Sequence, residues 1–254
     1  MKDPRSLYKY RPFDEFTLEI IANKKIFFPK PDLFNDPYDC KIKIDNSLSL
    51  QNYIDLVTEE GHELGKHDLE IESMVSRIRS VGLVPDDFIK NVEDGLNWIH
   101  SLCENVGVLS LSEDPKNILM WAHYADDHKG MCIEFRRDYS NILGQPEATK
   151  KVVYASNYPK IKIMDFKKKK PKVIERILRT KSKDWCYEKE WRVIMGNGNE
   201  LHPIPGEITA IIFGVKAPQR HIDIIRKLTN GSNIKLIQAE MLTNEYGIKI
   251  IKHI

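Results

Sequence analysis

The chain has 254 residues, about 1.7 domains' worth at ~150 residues each, so one large domain or two small ones are both open. Hydrophobic residues make up 41% and charged residues 30%, enough apolar material for a packed core and unlike a disordered chain. Lys+Arg 39 against Asp+Glu 37 leaves +2, which disfavours a surface built for bulk phosphate contacts, and no apolar run approaches the ~18 residues of a membrane helix.

Taken from the N-terminus, MKDPRSLYKYRPFDEF has no apolar stretch of a secretory signal, so a cytoplasmic setting is expected. Leu7-Tyr8-Lys9-Tyr10 alternates as a short strand and Pro12 breaks it. Asp14 stands where a cap belongs for a helix over 15–22, with Phe16, Ile20 and Ile21 on one face. Lys25-Ile26-Phe27-Phe28 is a second strand, ended by Pro29 and Pro31, and Asn35-Asp36-Pro37 is strong turn chemistry. From 49 to 100 the apolar spacing turns helical. Helices are expected over 52–60 and 69–81, with a third opening at Asp86 or Asp87 and a polar loop over 59–68.

Strands return over 106–111. A helix over 117–125 follows the Asp114-Pro115 turn and Gly130 stops it. Further strands are expected over 131–135, 151–154, 190–195, 208–215, 235–239 and 246–251, with helices over 173–180 and 221–228 and a solvated basic turn at Lys167 to Lys170. A nucleic-acid contact is the other reading of that basic turn. Strands and helices mix without strict alternation, so the fold class is α+β. The reading is a single α+β domain over 1–254 with a helical insertion at 49–100, because motifs on both sides of that stretch build one cleft. The cysteines Cys40, Cys103, Cys132 and Cys186 are scattered without a C-x-x-C pair and read as reduced thiols rather than a disulfide frame or zinc site.

Five clusters hold more polar and aromatic residues than a plain core strand needs: Tyr8-Lys9-Tyr10-Arg11, Phe34-Asn35-Asp36-Pro37, Ser110-Leu111-Ser112-Glu113-Asp114, Trp121-Ala122-His123-Tyr124-Ala125 and Trp185 through Arg192. In the last, Glu188, Glu190 and Arg192 alternate, so a strand projects all three from one face, with Arg192 supplying the charge that two neighbouring carboxylates need. A ladder of salt bridges on an exposed edge strand is the other reading. The flanking Trp185, Tyr187 and Trp191 argue for a partly buried setting. His123 near Trp121 reads either as a packing residue or as a base, Ser110 and Ser112 as turn formers or site hydroxyls, and Asn35 with Asp36 as a turn or a cleft element. No G-x-S-x-G, H-E-x-x-H, P-loop or G-x-G-x-x-G is present, and His and acidic residues are too dispersed for a metal site, so none is expected.

Together, LYKYR at 7–11, IFFPKPDLFNDPYD at 26–39, VLSLSEDPKNILMWAHYADDHKGMCIEF at 108–135 and WCYEKEWRVI at 185–194 resemble a bacterial domain-of-unknown-function family, number 2971. The order of parts also resembles, more remotely, the ADP-ribosyltransferase fold. There, a basic or aromatic residue sits on the first strand, a hydroxyl-bearing strand leads into a helix, and a Glu-x-Glu signature opens a later strand. This sequence has Lys9, with Arg11 two residues on, where that fold usually has His or Arg, and only Ser110-Leu111-Ser112 for its Ser-Thr-Ser element.

That resemblance implies a central sheet of mixed or antiparallel strands and an enzyme that consumes NAD, breaking the nicotinamide–ribose bond and passing ADP-ribose to an unknown macromolecular acceptor, protein or nucleic acid, as a toxin or phage-defence effector does. It makes Glu190 the catalytic carboxylate beside the developing ribose cation, as in glycoside hydrolysis, and Glu188 the group that orients or deprotonates the acceptor. Lys9 or Arg11 would hold the pyrophosphate. Tyr10 or Trp121 would stack on the nicotinamide and Ser110 or Ser112 would bond the ribose. His123 and Tyr124 would complete the NAD site, with Asn35, Asp36 and Arg192 as further cleft candidates. A non-catalytic nucleotide- or peptide-binding module and a nucleic-acid-processing enzyme are the alternatives.

Overall fold

A computed structural model describes residues 3–41, 43–45, 49–162 and 172–253; the basic turn expected at Lys167 to Lys170 lies outside them. The chain divides into two compact units, one of residues 1–39, 105–156 and 181–254, the other of residues 40–104 and 157–180.

The first unit is built on a sheet that starts with β1 (Ser6–Arg11) and ends with β14 (Ile248–His253). In between come β4 (Gly107–Ser112), β5 (Met131–Arg136), β6 (Thr149–Lys151), β10 (Glu190–Met195), β12 (Ile208–Phe213) and β13 (Lys235–Met241). Their order is β14-β13-β12-β5-β1-β4-β10-β6 among the described residues. All neighbours are antiparallel except β12 and β13, which are joined by the crossover helix α7 (Gln219–Leu228), the connection a parallel pair requires. The fold is thus α+β with a mixed, largely antiparallel sheet.

Strand alternation divides the sheet into two faces. Leu7, Leu109, Leu111, Ile133, Trp191 and Phe213 point to one, where Ile20 and Ile21 of α1 (Glu15–Ala22) and Ile222 and Ile225 of α7 close the core. Each such side chain contributes about 1.5–3 kcal/mol by leaving water. Asp14 caps α1 by accepting from the Thr17 amide at 2.7 Å. The opposite face carries Tyr10, Cys132 and Ile212, covered by Met120 and Trp121 of α5 (Ile118–Tyr124). The register puts Tyr8 opposite Ser112, Ser112 opposite Glu190 and Ser110 opposite Arg192, so the polar motif residues share this second face. β1 and β5 share six registered pairs, but β1 and β4 share one, Tyr8 with Ser112. Gly130 lets β5 start tight against β1: a Cβ there would stand 2.2 Å from the Arg11 carbonyl oxygen.

Two smaller ladders flank the sheet, β2 (Lys25–Phe28) with β11 (Glu200–Pro203) and β7 (Val153–Ala155) with β9 (Thr180–Ser182). The single strand expected over 151–154 is in fact β6 and β7, because the Val152 amide turns to donate to the Glu190 carbonyl at 2.9 Å.

The second unit contains α2 (Leu50–Glu63), α3 (Asp68–Val81), all but the end of α4 (Asp86–Asn105), and a helix over 172–179, here α6, with β3 (Lys43–Asp45) parallel to β8 (Lys160–Lys162). Ser49 caps α2 by accepting from the Asn52 amide. Ile54 packs with Ile71 and Val75. α2 runs to Glu63, into the loop expected at 59–68, whose remainder connects it to α3, and Gly61 permits the close approach: a Cβ there would meet Ile71 Cγ1 at 2.7 Å. The helices of the expected insertion thus lie in this unit, together with residues 157–180.

Candidate functional site

The strand expected over 190–195 does start at Glu190, but the alternation drawn back to Glu188 does not hold. Residues Lys183–Glu188 form a 3-10 turn, and Lys189 sits in the left-handed region at φ 46°, a conformation that costs a non-glycine residue free energy and needs support. The support is local. The Ser112 hydroxyl donates to the Glu188 carbonyl at 2.6 Å, the Asn117 side chain donates to the Tyr187 carbonyl at 3.0 Å, and the Lys189 ammonium bonds Asp114 at 2.8 Å. The turn folds the Glu188 side chain back over the face that Glu190 and Arg192 occupy. None of the three is on an exposed edge: Glu188, Glu190 and Arg192 are 3%, 2% and 0% exposed, which rules out the surface ladder.

Two residues outside the expected set complete the cluster. The Lys181 ammonium, brought in by β9, lies 2.6 Å from Glu188, 3.2 Å from Glu190 and 3.6 Å from Asp39. Arg192 binds Glu190 through Nε at 2.7 Å and reaches Asp39 at 2.5 Å, with its guanidinium over the Phe34 ring. The second Glu188 oxygen accepts from the Tyr124 hydroxyl at 2.7 Å, and Asn35 donates to that hydroxyl at 3.2 Å. The Glu190 amide donates to Tyr154 Oη at 2.8 Å. Three carboxylates thus surround two cations in a nearly dry site, where every ion needs the others.

The two glutamates titrate in opposite directions. Burial pushes the Glu190 carboxyl up, but the Arg192 guanidinium and the Lys181 ammonium outweigh it, helped by hydrogen bonds from Arg192 and Ser110, and hold it at about 2. Burial lifts Glu188 above the usual carboxylate range. Lys181 pulls it down and the Glu190 charge adds to the rise. Lys181 is held protonated: burial opposes its charge, and Glu190, Glu188 and Asp39 more than compensate. Carboxyls pushed apart in one site are the pattern of an acid–base pair.

This cluster floors a cleft of about 270 Å³. Tyr8, Phe34 and Tyr124 supply aromatic wall, Ser110 and Asn35 supply polar groups, and Lys9 lines it from β1. The Lys9 ammonium donates to the Ser110 carbonyl at 2.9 Å, and burial and the charge of Arg11 lower it to about 8 against the pull of Glu190 and Glu188.

Of the expected site residues, the cleft therefore collects Lys9, Tyr10, Asn35, Ser110, Ser112, Tyr124, Glu188 and Glu190, with Arg192 beneath them. Tyr10 contributes only ring surface, since its hydroxyl is committed to the Asp114 carbonyl at 2.7 Å. Four others are elsewhere. Arg11 bonds Asp14 and Thr17 at the start of α1. Trp121 is fully buried, edge-on to Tyr10, and its indole N–H donates to the Pro115 carbonyl, so it is a packing residue rather than a stacking platform. His123 is exposed beside Tyr187, and Asp36 shapes its own turn by accepting from the Tyr38 amide. Among the described residues, no group of three His, Cys, Asp or Glu side chains is arranged to hold a metal ion, and no helix is long and apolar enough to cross a membrane.

Residues 120–193, the span from α5 into β10 that carries Tyr124, Lys181, Glu188, Glu190 and Arg192, match the model of a family described as a protein of unknown function (DUF2971). This is the domain-of-unknown-function family that the sequence motifs resemble. No curated protein matches the chain, and no solved structure does, so the ADP-ribosyltransferase likeness has no structural relative behind it.

Proposed function

We propose that the cleft binds the nicotinamide–ribose end of NAD and breaks the bond between them, transferring ADP-ribose to a macromolecular acceptor. The observation that carries this reading is the pair of glutamates, one held firmly ionised and the other with its proton affinity raised, in a single aromatic-walled cleft. Loss of nicotinamide builds positive charge on the ribose. With all groups ionised, Asp39, Glu188 and Glu190 exceed Lys181 and Arg192 by one negative charge. A fixed negative field in a dry site stabilises that cation without reorganising. Glu188, with its raised proton affinity and its second oxygen steered by Tyr124, is the group suited to take the acceptor's proton. A cleft of about 270 Å³ falls just under the range of sites for drug-sized ligands, ~300–1,000 Å³, and so suits one nucleoside end, leaving the remainder of the dinucleotide outside. Because Arg11 is engaged at α1, Lys9 is the residue placed to meet the adjacent phosphate.

Calorimetric titration with NAD, paired with a nicotinamide-release assay in cell extract, tests the proposal. Wild type should bind and release, and Glu190→Gln should abolish release. No binding and no release with any extract sinks it. A non-catalytic binding module is the second reading, favoured by the fact that both Glu190 oxygens are already engaged by Arg192 and Lys181. It predicts NAD binding without turnover, and stability loss as the sole effect of Glu190→Gln.

A further inference from the structure

We infer that Lys9 is a nucleophilic amine that captures the open-chain aldehyde of a ribosyl compound held in the cleft, forming an imine. The two lysines lining this cleft differ sharply. Lys181 is ringed by three carboxylates and locked as a cation. Lys9, among the described residues, has no carboxylate partner, and its ammonium is satisfied only by the Ser110 carbonyl. It projects from the middle of β1, half-buried, between the ring-bearing Tyr8 and Tyr10 that line the same cleft. A lysine shielded from water and without a carboxylate in contact loses its proton readily, the usual condition for an amine nucleophile. The lowering to about 8 from 10.5 raises its free-amine fraction at neutral pH by about two orders of magnitude over an exposed lysine.

The occupants that suit these walls are polyhydroxylated: carboxylates and Asn35 bond hydroxyls, and the faces of Tyr8 and Tyr124 pack on sugar C–H groups. The choice of a ribosyl aldehyde rests on the proposed ribosyl chemistry; the reactivity of the amine does not. In the step itself, the Nζ lone pair adds to the aldehyde carbon and the carbonyl oxygen takes up a proton. Nζ then loses its extra proton, Glu188 protonates the hydroxyl, water leaves as the C=N bond forms, and the proton left on the iminium nitrogen returns to Glu188. Addition of water reverses the sequence, so no oxidant or reductant is consumed.

The test incubates the full chain with ADP-ribose and sodium cyanoborohydride at pH 8, the reagent reducing any imine to a stable amine, and maps the adducts by peptide mass spectrometry. Labelling at Lys9 should exceed that at any exposed lysine by about tenfold or more, and should vanish in Lys9→Arg, which keeps the positive charge but cannot form the imine. Labelling spread evenly over surface lysines, or total labelling unchanged in Lys9→Arg, overturns the inference. Nicotinamide release measured on the same samples separates the two readings. Release without Lys9 labelling ends this inference alone, and Lys9 labelling without release ends the transferase reading alone.

Discussion

Arg192→Met is the sharpest perturbation of the buried cluster. Arg192 is wholly buried, binds Glu190 and Asp39 together, and lies over the Phe34 ring. Its loss strands two carboxylates where water cannot reach them, a change that typically costs about 3–5 kcal/mol. An independent route gives a similar size: holding Glu190 at about 2 rather than 4.5 is worth about 3 kcal/mol at neutral pH. For a chain of this length that corresponds to a fall in Tm of about 10 °C. The sign with pH follows from the depressed value. Stabilisation from Glu190 is fully present above its ordinary value and is lost as pH falls toward about 2. In the variant Glu190 protonates more easily, so the gap between wild type and variant should be widest near pH 7 and close as the pH falls from about 4.5 toward 2. Urea unfolding followed by tryptophan fluorescence reports this, since Trp121, Trp185 and Trp191 all lie in the unit that holds the site. A gap under about 1 kcal/mol, the size of an exposed ion pair, or a gap that is the same at pH 7 and about pH 3, would refute the picture of a dry, interdependent cluster.

Glu190→Gln should cost about 3 kcal/mol at pH 7 and Glu188→Gln less, because burial opposes the Glu188 charge that the substitution removes; paired melting curves check the order. Lys9→Met should abolish the part of the wild-type stability that grows between about pH 8 and 10.5, the window in which the folded chain has released that proton and the unfolded chain has not. Denaturant titrations of both proteins across that window provide the difference. Trp121→Ala should lower stability by about 3–5 kcal/mol while leaving the ligand affinity of the remaining folded protein within about twofold, since the indole packs under Tyr10 rather than lining the cleft. Gly130→Ala should be severely destabilising, because no side-chain rotation can move a Cβ that stands 2.2 Å from the Arg11 carbonyl oxygen.

Periodicity and punctuation in the sequence located α1 with its Asp14 cap, β2 and the start of β10 at Glu190, because the determinants of each are local: a capping carboxylate, a flanking Pro, an alternation of two. The face shared by Glu190 and Arg192 was legible for the same reason. The Glu188 turn was not. An alternating E-K-E-W-R pattern cannot reveal that Lys189 adopts a left-handed backbone held by Ser112 and Asn117, partners about seventy residues away. Trp121 beside His123 has the composition of a binding site, and only its neighbours Tyr10 and Pro115 show that it is core.

Asp39 and Lys181 mark where local reasoning ends and charge counting could have gone further. Two buried carboxylates and one arginine do not neutralise one another, and leaving the excess charge unpaired in a dry site costs several kcal/mol. A second cation was therefore owed to the cluster as soon as Glu188 and Glu190 were read as buried. Lys181, nine residues before Glu190 and just past the helix expected over 173–180, supplies it, and Asp39 then restores the negative excess. The overall balance of +2 says nothing of this, because surface charges are averaged by solvent and salt while buried ones are not. What matters at the cleft is a local excess of one negative charge beside an amine that, among the described residues, makes no ion pair. That asymmetry ties the two proposals together. The field that would stabilise a ribosyl cation only partly offsets the burial of Lys9, so the same burial that Arg192 and Lys181 overcome at Glu190 leaves a reactive nitrogen in the cleft they share.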